Sequence, residues 1–351
     1  MTESNRQTEI STLGEFGLID RLTHDFAVEN PSTVKGVGDD AAIMAYDGNE
    51  ETLVTTDLLL EGIHFDLRYV PLKHLGYKAA VVNFSDIYAM MGKPTQITVS
   101  IGVSSRFTVE HIEELYAGIK FACRQYGVDM VGGDTSASVT GLVISITCLG
   151  VVPKGEAVLR SGAKNTDIIC VSGDLGAAYM GLQLLERENQ VAAKSGKDFI
   201  PKFEGKEYIL ERQLKPEARK DIVEALREAG VRPTSMMDVS DGLSSELLHI
   251  AKDSNVGIRV YEDKIPIDYQ TALMAEELNM NVVMVALNGG EDYELLFTVP
   301  LTDHEKIRKI KGIAEIGYVT KPELGTMLVT RDGEEIQLKA QGWNAFSNTE
   351  K

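Results

Sequence analysis

Aspartate recurs at the ends of short apolar segments along this chain, usually with glycine beside it. The recurrences are Gly36-Val-Gly-Asp39-Asp40, Thr55-Thr56-Asp57, Asn83-Phe-Ser-Asp86, Gly132-Gly133-Asp134-Thr135, Asp238-Val-Ser240-Asp241-Gly242 and Gly289-Gly290-Glu291-Asp292. The constraint is architectural. Each carboxylate needs a turn, a cap or an element end, because an unpaired one inside an apolar element is costly. Taken one at a time, Asp beside Gly is ordinary turn chemistry, and Asp241 could be a helix N-cap. Asp57, closing an apolar strand, and Asp86, inside an apolar helix where aspartate is a poor former, are harder to account for that way. Asp238 has no capping role to explain it.

The apolar segments between these sites have two periods. Residues 52–56 are a short β-rich run ending at Asp57. Residues 74–91 have helical spacing, with Leu75, Ala79, Val82 and Met90 near one face and Gly92-Lys93-Pro94 as the stop. Ile97, Val99, Ile101 and Val103 alternate with smaller or polar residues, the pattern of a half-buried strand. Thr108 is placed to cap a helix through Gln125, and 142–152 is again β-rich. Composition changes around 153–155, which puts the boundary between an N-terminal domain, 1–153, and a C-terminal one, 154–351. Beyond it, 168–171, 236–239, 258–261 and 293–299 read as strands, and 177–188 and 243–252 as helices. Pro216 in a first turn and Gly230 past the end bracket another helix, with Ile222, Ala225 and Leu226 facing inward. The polar, Lys-rich stretch 189–205 reads as a surface loop. The expected fold class is α/β or α+β in two domains.

Charge narrows the function. The 351 residues carry a formal net charge of −18, which repels nucleic acid and anionic membrane surfaces, so neither is expected as a partner. No apolar run approaches the roughly 20 residues of a membrane span. The N-terminus lacks a basic region followed by an apolar core. Cys123, Cys148 and Cys170 have no CxxC spacing and sit in apolar stretches, as buried reduced thiols would. A cytoplasmic enzyme is expected.

No P-loop, strand-following GxGxxG, HExxH or GxSxG is present. Dispersed carboxylates at rigid element ends suit magnesium, which takes oxygen ligands and is held by one or two carboxylates plus phosphates and water. Neighbouring glycines let backbone amides approach phosphate closely. His64, after the Asp57 strand, reads equally as a satisfied edge histidine. Arg160 could clamp phosphate. Trp343 would staple the polar tail to the body or stack on a planar ligand, and the residues favour the staple.

Taken together and in this order, the motifs resemble the thiamine-monophosphate kinase family, within the aminoimidazole ribonucleotide synthetase-like superfamily. The resemblance runs from Gly14-Glu-Phe-Gly-Leu-Ile19 through the aspartate motifs and Arg160-Ser-Gly-Ala163 to Gly342-Trp-Asn-Ala-Phe346. Glu61-Gly-Ile-His-Phe65 and Gly289-Gly-Glu-Asp-Tyr-Glu294 carry its thiamine character. It implies a homodimer in which the N-terminal sheets pair as a barrel, with ATP at the interface, and a C-terminal α/β domain. It also implies several magnesium ions, held by Asp40, Thr55, Thr56, Asp57, Asp86, Asp134, Asp238 and Asp241. ATP would contact Tyr116, Gly133, Asp134, Arg160 and Ser240. Thiamine monophosphate would contact His64, Glu291 and Trp343. The nucleophile would be a phosphate oxygen, already mostly dianionic at neutral pH because its second pKa is about 6. No general acid or base is then required, and direct γ-phosphate transfer is expected. The nearest rival is another ATP-dependent synthetase of the superfamily, distinguished at His64, Glu291 and the Trp343 tail. A non-catalytic nucleotide-binding regulator would explain the glycines but not so many carboxylates.

Overall fold

The structure is a computed structural model. It describes Gly17 and residues 31–341 except 47 and 196–199. Most of the 14–19 motif and the 342–346 tail, including Trp343, lie outside the described residues.

The N-terminal part is a six-stranded mixed sheet in the order β1-β2-β3-β6-β4-β5. Its strands are β1 (Thr33–Lys35), β2 (Ala42–Ala45), β3 (Glu50–Leu60), β4 (Lys93–Val103), β5 (Asp129–Ala137) and β6 (Val143–Pro153). All pairs are antiparallel except β4 with β5. Two helices accompany the strands, α1 (Leu72–Ala89) and α2 (Val109–Tyr126). Strand β3 alternates. Leu53, Thr55, Asp57 and Leu59 share one side, while Thr56 and Leu58 are exposed on the other. Asp57 therefore lies inside a long strand and does not close a short one.

Helix α1 ties the two parts of the chain together. One amphipathic face was expected, but the helix is buried nearly all round, from Leu72 to Ala89. A helix buried on every side is enclosed by two layers. Here one is the first sheet, at β3, β4 and β6, and the other is the C-terminal part, at the sheet edge formed by residues 235–238. Helix α2 lies against α1 through two glycines. A Cβ at Gly76 would fall 1.9 Å from the Leu115 carbonyl oxygen, and one at Gly118 would fall 1.9 Å from that of Lys73. Only glycine permits so close a crossing.

The C-terminal part has seven strands in the order β13-β12-β9-β11-β7-β10-β8. These are β7 (Ile168–Ser172), β8 (Ser235–Asp238), β9 (Gly257–Tyr261), β10 (Leu295–Val299), β11 (Ile313–Thr320), β12 (Thr326–Val329) and β13 (Glu335–Gln337). Only β9 with β12 is parallel. The helices are α3 (Ala177–Ser195), α4 (Glu207–Leu214), α5 (Lys220–Glu228), α6 (Leu243–Ser254), α7 (Tyr269–Glu277), α8 (Val282–Asn288) and α9 (His304–Ile307). Strands β7, β8 and β10 are buried on both faces, so they read as continuous apolar runs. One face packs with Leu243, Leu247 and Ile250 of α6. The other, through Cys170, Met236, Leu295 and Phe297, belongs to the same core as α1 and the first sheet. That shared core brings the end of β8 to α1.

Two expectations change here. Helix α3 continues to Ser195, so the stretch expected as loop from 189 begins as helix. Pro216 precedes α5, whose first residue is Lys220, and lies between two helices.

Candidate active site

Strand alternation places Thr55 and Asp57 side by side on the α1 side of β3, and α1 returns Asp86 to the same place in its last turn. The Thr55 hydroxyl donates to Asp86 Oδ2 at 2.6 Å. Asp40 enters from the turn before β2. Asp238 enters from the last residue of β8, where it accepts the Ser85 hydroxyl. Carboxylate oxygens of Asp40, Asp86 and Asp238 lie within 4.8 Å of one another. The cluster thus joins residues from both parts of the chain.

Bringing these groups together works against their ionisation. Burial, then the charges of Asp57, Asp238 and Asp40, push the Asp86 carboxyl well above the usual carboxylate range. Burial raises Asp57 to about 6. Burial and then Asp40 raise Asp238 to about 7, and the same two causes raise Asp39 to about 6. Asp86 also sits at the C-terminal end of α1, where the carbonyl dipoles disfavour an anion. Arg160 answers part of this charge. Its Nη2 is 2.6 Å from Asp40 Oδ1, and its backbone N–H donates to Asp39 Oδ1 at 3.2 Å. Even so, Asp40 Oδ2 and Asp57 Oδ2 are buried with no protein partner. Orphaned carboxylate oxygens around a shared point, with repulsion that a cation would relieve, fit a hard divalent ion.

The chain matches two family descriptions. Residues 38–152 match "AIR synthase related protein, N-terminal domain", and residues 167–328 match the corresponding C-terminal domain. The thiamine-monophosphate kinase of Bacillus subtilis is 34% identical over 340 residues, spanning 95% of this chain and all of that protein. That of Aquifex aeolicus is 35% identical over 337 residues, spanning 96% and 99%. The chain belongs to the thiamine-monophosphate kinase family. The solved structure described as AaThiL complexed with AMPPCP and TMP superposes with a TM-score of 0.82, at 34% identity over 97% of this chain and 99% of that one. Hydrogenase maturation protein HypE in complex with ATP, at 20% identity and a TM-score of 0.64, shares the fold.

The family's motif residues are not all gathered in one place. Asp40, Thr55, Asp57, Asp86 and Asp238 converge. Asp241 lies a few residues beyond Asp238, but the N-cap of α6 is Gly242, so Asp241 is not the cap. Thr56 faces the other side of the sheet, where its hydroxyl donates to the Ile146 carbonyl at 3.1 Å. Asp134 lies on β5, an edge strand exposed along its whole length, and pairs in register with Ser100 of β4. Its neighbour Gly133 pairs with Val99, and a Cβ there would meet the Val99 carbonyl oxygen. Tyr116 lies partly buried on α2 against the core.

Of the residues expected to contact thiamine monophosphate, His64 sits in the tight turn after β3 and accepts the Leu60 N–H on Nδ1 at 3.0 Å. Glu291 has a left-handed backbone (φ 59°) and pairs with Lys78 at 2.8 Å, while Gln213 donates to its other oxygen at 3.1 Å. Sequence reasoning missed Asp39 and Lys78 as part of the site. A signal for Lys78 existed: it precedes the apolar run Ala79–Val82 in a helix, where a buried ammonium needs a partner. For Asp39, the pair Asp39-Asp40 was visible, but its tie to Arg160, 121 residues away, was not.

Proposed function

We propose that this chain transfers the γ-phosphate of ATP directly to thiamine monophosphate, giving thiamine diphosphate and ADP. The observation that carries the reading is the convergence of Asp40, Asp86 and Asp238 from both parts of the chain, in a member of this family. Asp40, Thr55, Asp57, Asp86, Asp238 and Asp241 would hold magnesium, and Thr56 and Asp134 join that set by resemblance alone. Bound there, magnesium would screen the repulsion between the two phosphates and stabilise charge on the transferring phosphoryl group.

The chain's own residues do the rest. Arg160, fixed by Asp39 and Asp40, presents a guanidinium to the nucleotide phosphates, with the Gly133–Asp134 backbone, Ser240 and Tyr116 as further contacts. His64 and Glu291 position the acceptor, the latter clamped by Lys78 and Gln213, and Trp343 joins them by resemblance alone. No residue needs to remove a proton, because the attacking oxygen is already ionised at neutral pH.

The same reading includes a homodimer and a domain boundary at 153/154. What supports the dimer is the open face of the first sheet, with Leu58 exposed, and the β5 edge, with Met130 and Val131 exposed; such edges call for covering. Among the described residues no helix is long and apolar enough to cross a membrane. A cytoplasmic setting suits the three buried free cysteines.

The test is ADP release by the purified protein in magnesium. It is expected only when thiamine monophosphate is present, in a one-to-one ratio with thiamine diphosphate. ATP hydrolysis stimulated instead by an aminoimidazole precursor would overturn the assignment.

A further inference from the structure

Asp238, Ser240 and Asp241 lie in one turn between β8 and α6, and the turn has little regular structure of its own. Two consecutive amides in it, those of Ser240 and Asp241, donate to a single acceptor, Glu246 Oε1, at 3.1 and 2.8 Å. Glu246 is 1% exposed in the first turns of α6. From the opposite side, the Ser240 carbonyl accepts the Glu291 N–H at 2.7 Å and the Val239 carbonyl accepts the Tyr293 N–H at 2.9 Å. Gly290 and Gly242 allow these segments to touch. A Cβ at Gly290 would lie 2.6 Å from the Ser240 carbonyl oxygen, and one at Gly242 would lie 2.9 Å from Asn288 Cα. The turn is held between Glu246 and residues 290–293.

An ordinary capping glutamate reaches back to the N-cap amide and so serves its own helix. Glu246 reaches past the N-cap, Gly242, to the two residues before it. Its bonds therefore fix the turn that precedes the helix. A buried carboxylate is an expensive way to hold a loop, and this loop is the one that carries Asp238, Ser240 and Asp241 to the site. The segment it is clamped against carries Glu291.

We infer that Glu246 is a positioning residue for the metal–nucleotide side of the site, acting through the backbone of Ser240 and Asp241. This rests on the proposed function only in taking that turn as a metal–nucleotide contact.

The test compares Glu246→Gln, which keeps the acceptor oxygen, with Glu246→Ala and Glu246→Asp, which remove or withdraw it. Manganese binding in the presence of a non-hydrolysable ATP analogue is titrated by calorimetry, alongside melting temperature and the KM of each substrate. Glu246→Ala and Glu246→Asp are expected to weaken manganese–nucleotide binding by about 10–100-fold, as loss of an orienting partner typically does. Glu246→Gln should bind within about threefold of wild type, because the acceptor oxygen persists. Wild-type binding in Glu246→Ala or Glu246→Asp overturns the inference, and so does a loss in Glu246→Gln as large as in Glu246→Asp. If Glu246→Ala fails to fold, the Gln–Asp comparison decides. Because the titration needs no turnover, a wild-type protein that binds manganese and nucleotide but does not phosphorylate thiamine monophosphate would sink the proposed activity and leave this inference standing.

Discussion

Asp86→Asn is expected to lower kcat by about 10³-fold while raising the melting temperature of the metal-free protein. The two effects share one cause. Asp86 is half-buried beside Asp57, Asp238 and Asp40, and each of these disfavours its charge. An amide of the same shape removes that repulsion and can still accept the Thr55 hydroxyl, which lies at 2.6 Å from Asp86 Oδ2. The core around it, including Phe84 and Ile87, is untouched. Catalysis, by contrast, would lose a negative ligand for the proposed magnesium. The checks are steady-state rates across magnesium concentration, far-ultraviolet circular dichroism and thermal melts. A variant with near-wild-type turnover at limiting magnesium would mean that Asp86 does not hold metal. A melting temperature well below wild type would mean that the cluster is not strained by its own charge. Asp57→Asn is expected to behave in the same direction, since burial raises that carboxyl too, to about 6.

The second large effect is on pH. Asp57 is raised to about 6 and Asp238 to about 7, chiefly by burial, from an ordinary value of 3.8. In the folded, metal-free protein these groups keep protons that the unfolded chain has already lost. A raised folded value contributes stability that is full below the unfolded value and is lost as pH climbs through the folded one. The metal-free protein should therefore lose stability from these groups between about pH 4 and pH 7. Ionised carboxylates are the metal-binding form, so the proposed magnesium uptake would compete with protons and release them. The rise in melting temperature on adding saturating magnesium is expected to be clearly larger at pH 8 than at pH 6. Calorimetric titrations at about pH 6.5 in buffers of different ionisation heat should report proton release of the order of one per ion. Equal magnesium-induced shifts at both pH values, with no proton release, would show that the cluster does not take up the metal.

Much of this site could be read from order and spacing. Asp57 and Asp86 stood out because an apolar strand and an apolar helix each contained a carboxylate with no local role, and both join the cluster. Period alone also located β4, α2 and β6 closely. What the sequence could not supply was which elements share a layer. Helix α1 looked one-sided because its second neighbour, the edge of the C-terminal sheet, comes from much later in the chain, as in the Ser85–Asp238 contact with a separation of 153. The same blindness hid Asp39 with Arg160 and Lys78 with Glu291, each pair fixed by tertiary packing. Thr56 shows the converse. Its motif neighbours suggested one shared role, but the two-residue period of β3 turns it away from Thr55 and Asp57.

The central claim is that clustered carboxylates serve a single direct transfer between two phosphates, with no residue accepting the phosphoryl group. The stereochemical course at the transferred phosphorus tests it most directly, using ATP made chiral at the γ-position with sulfur and oxygen isotopes. One in-line displacement inverts configuration, and that is the predicted result. Retention would require two displacements and a phosphorylated protein, and would contradict the account.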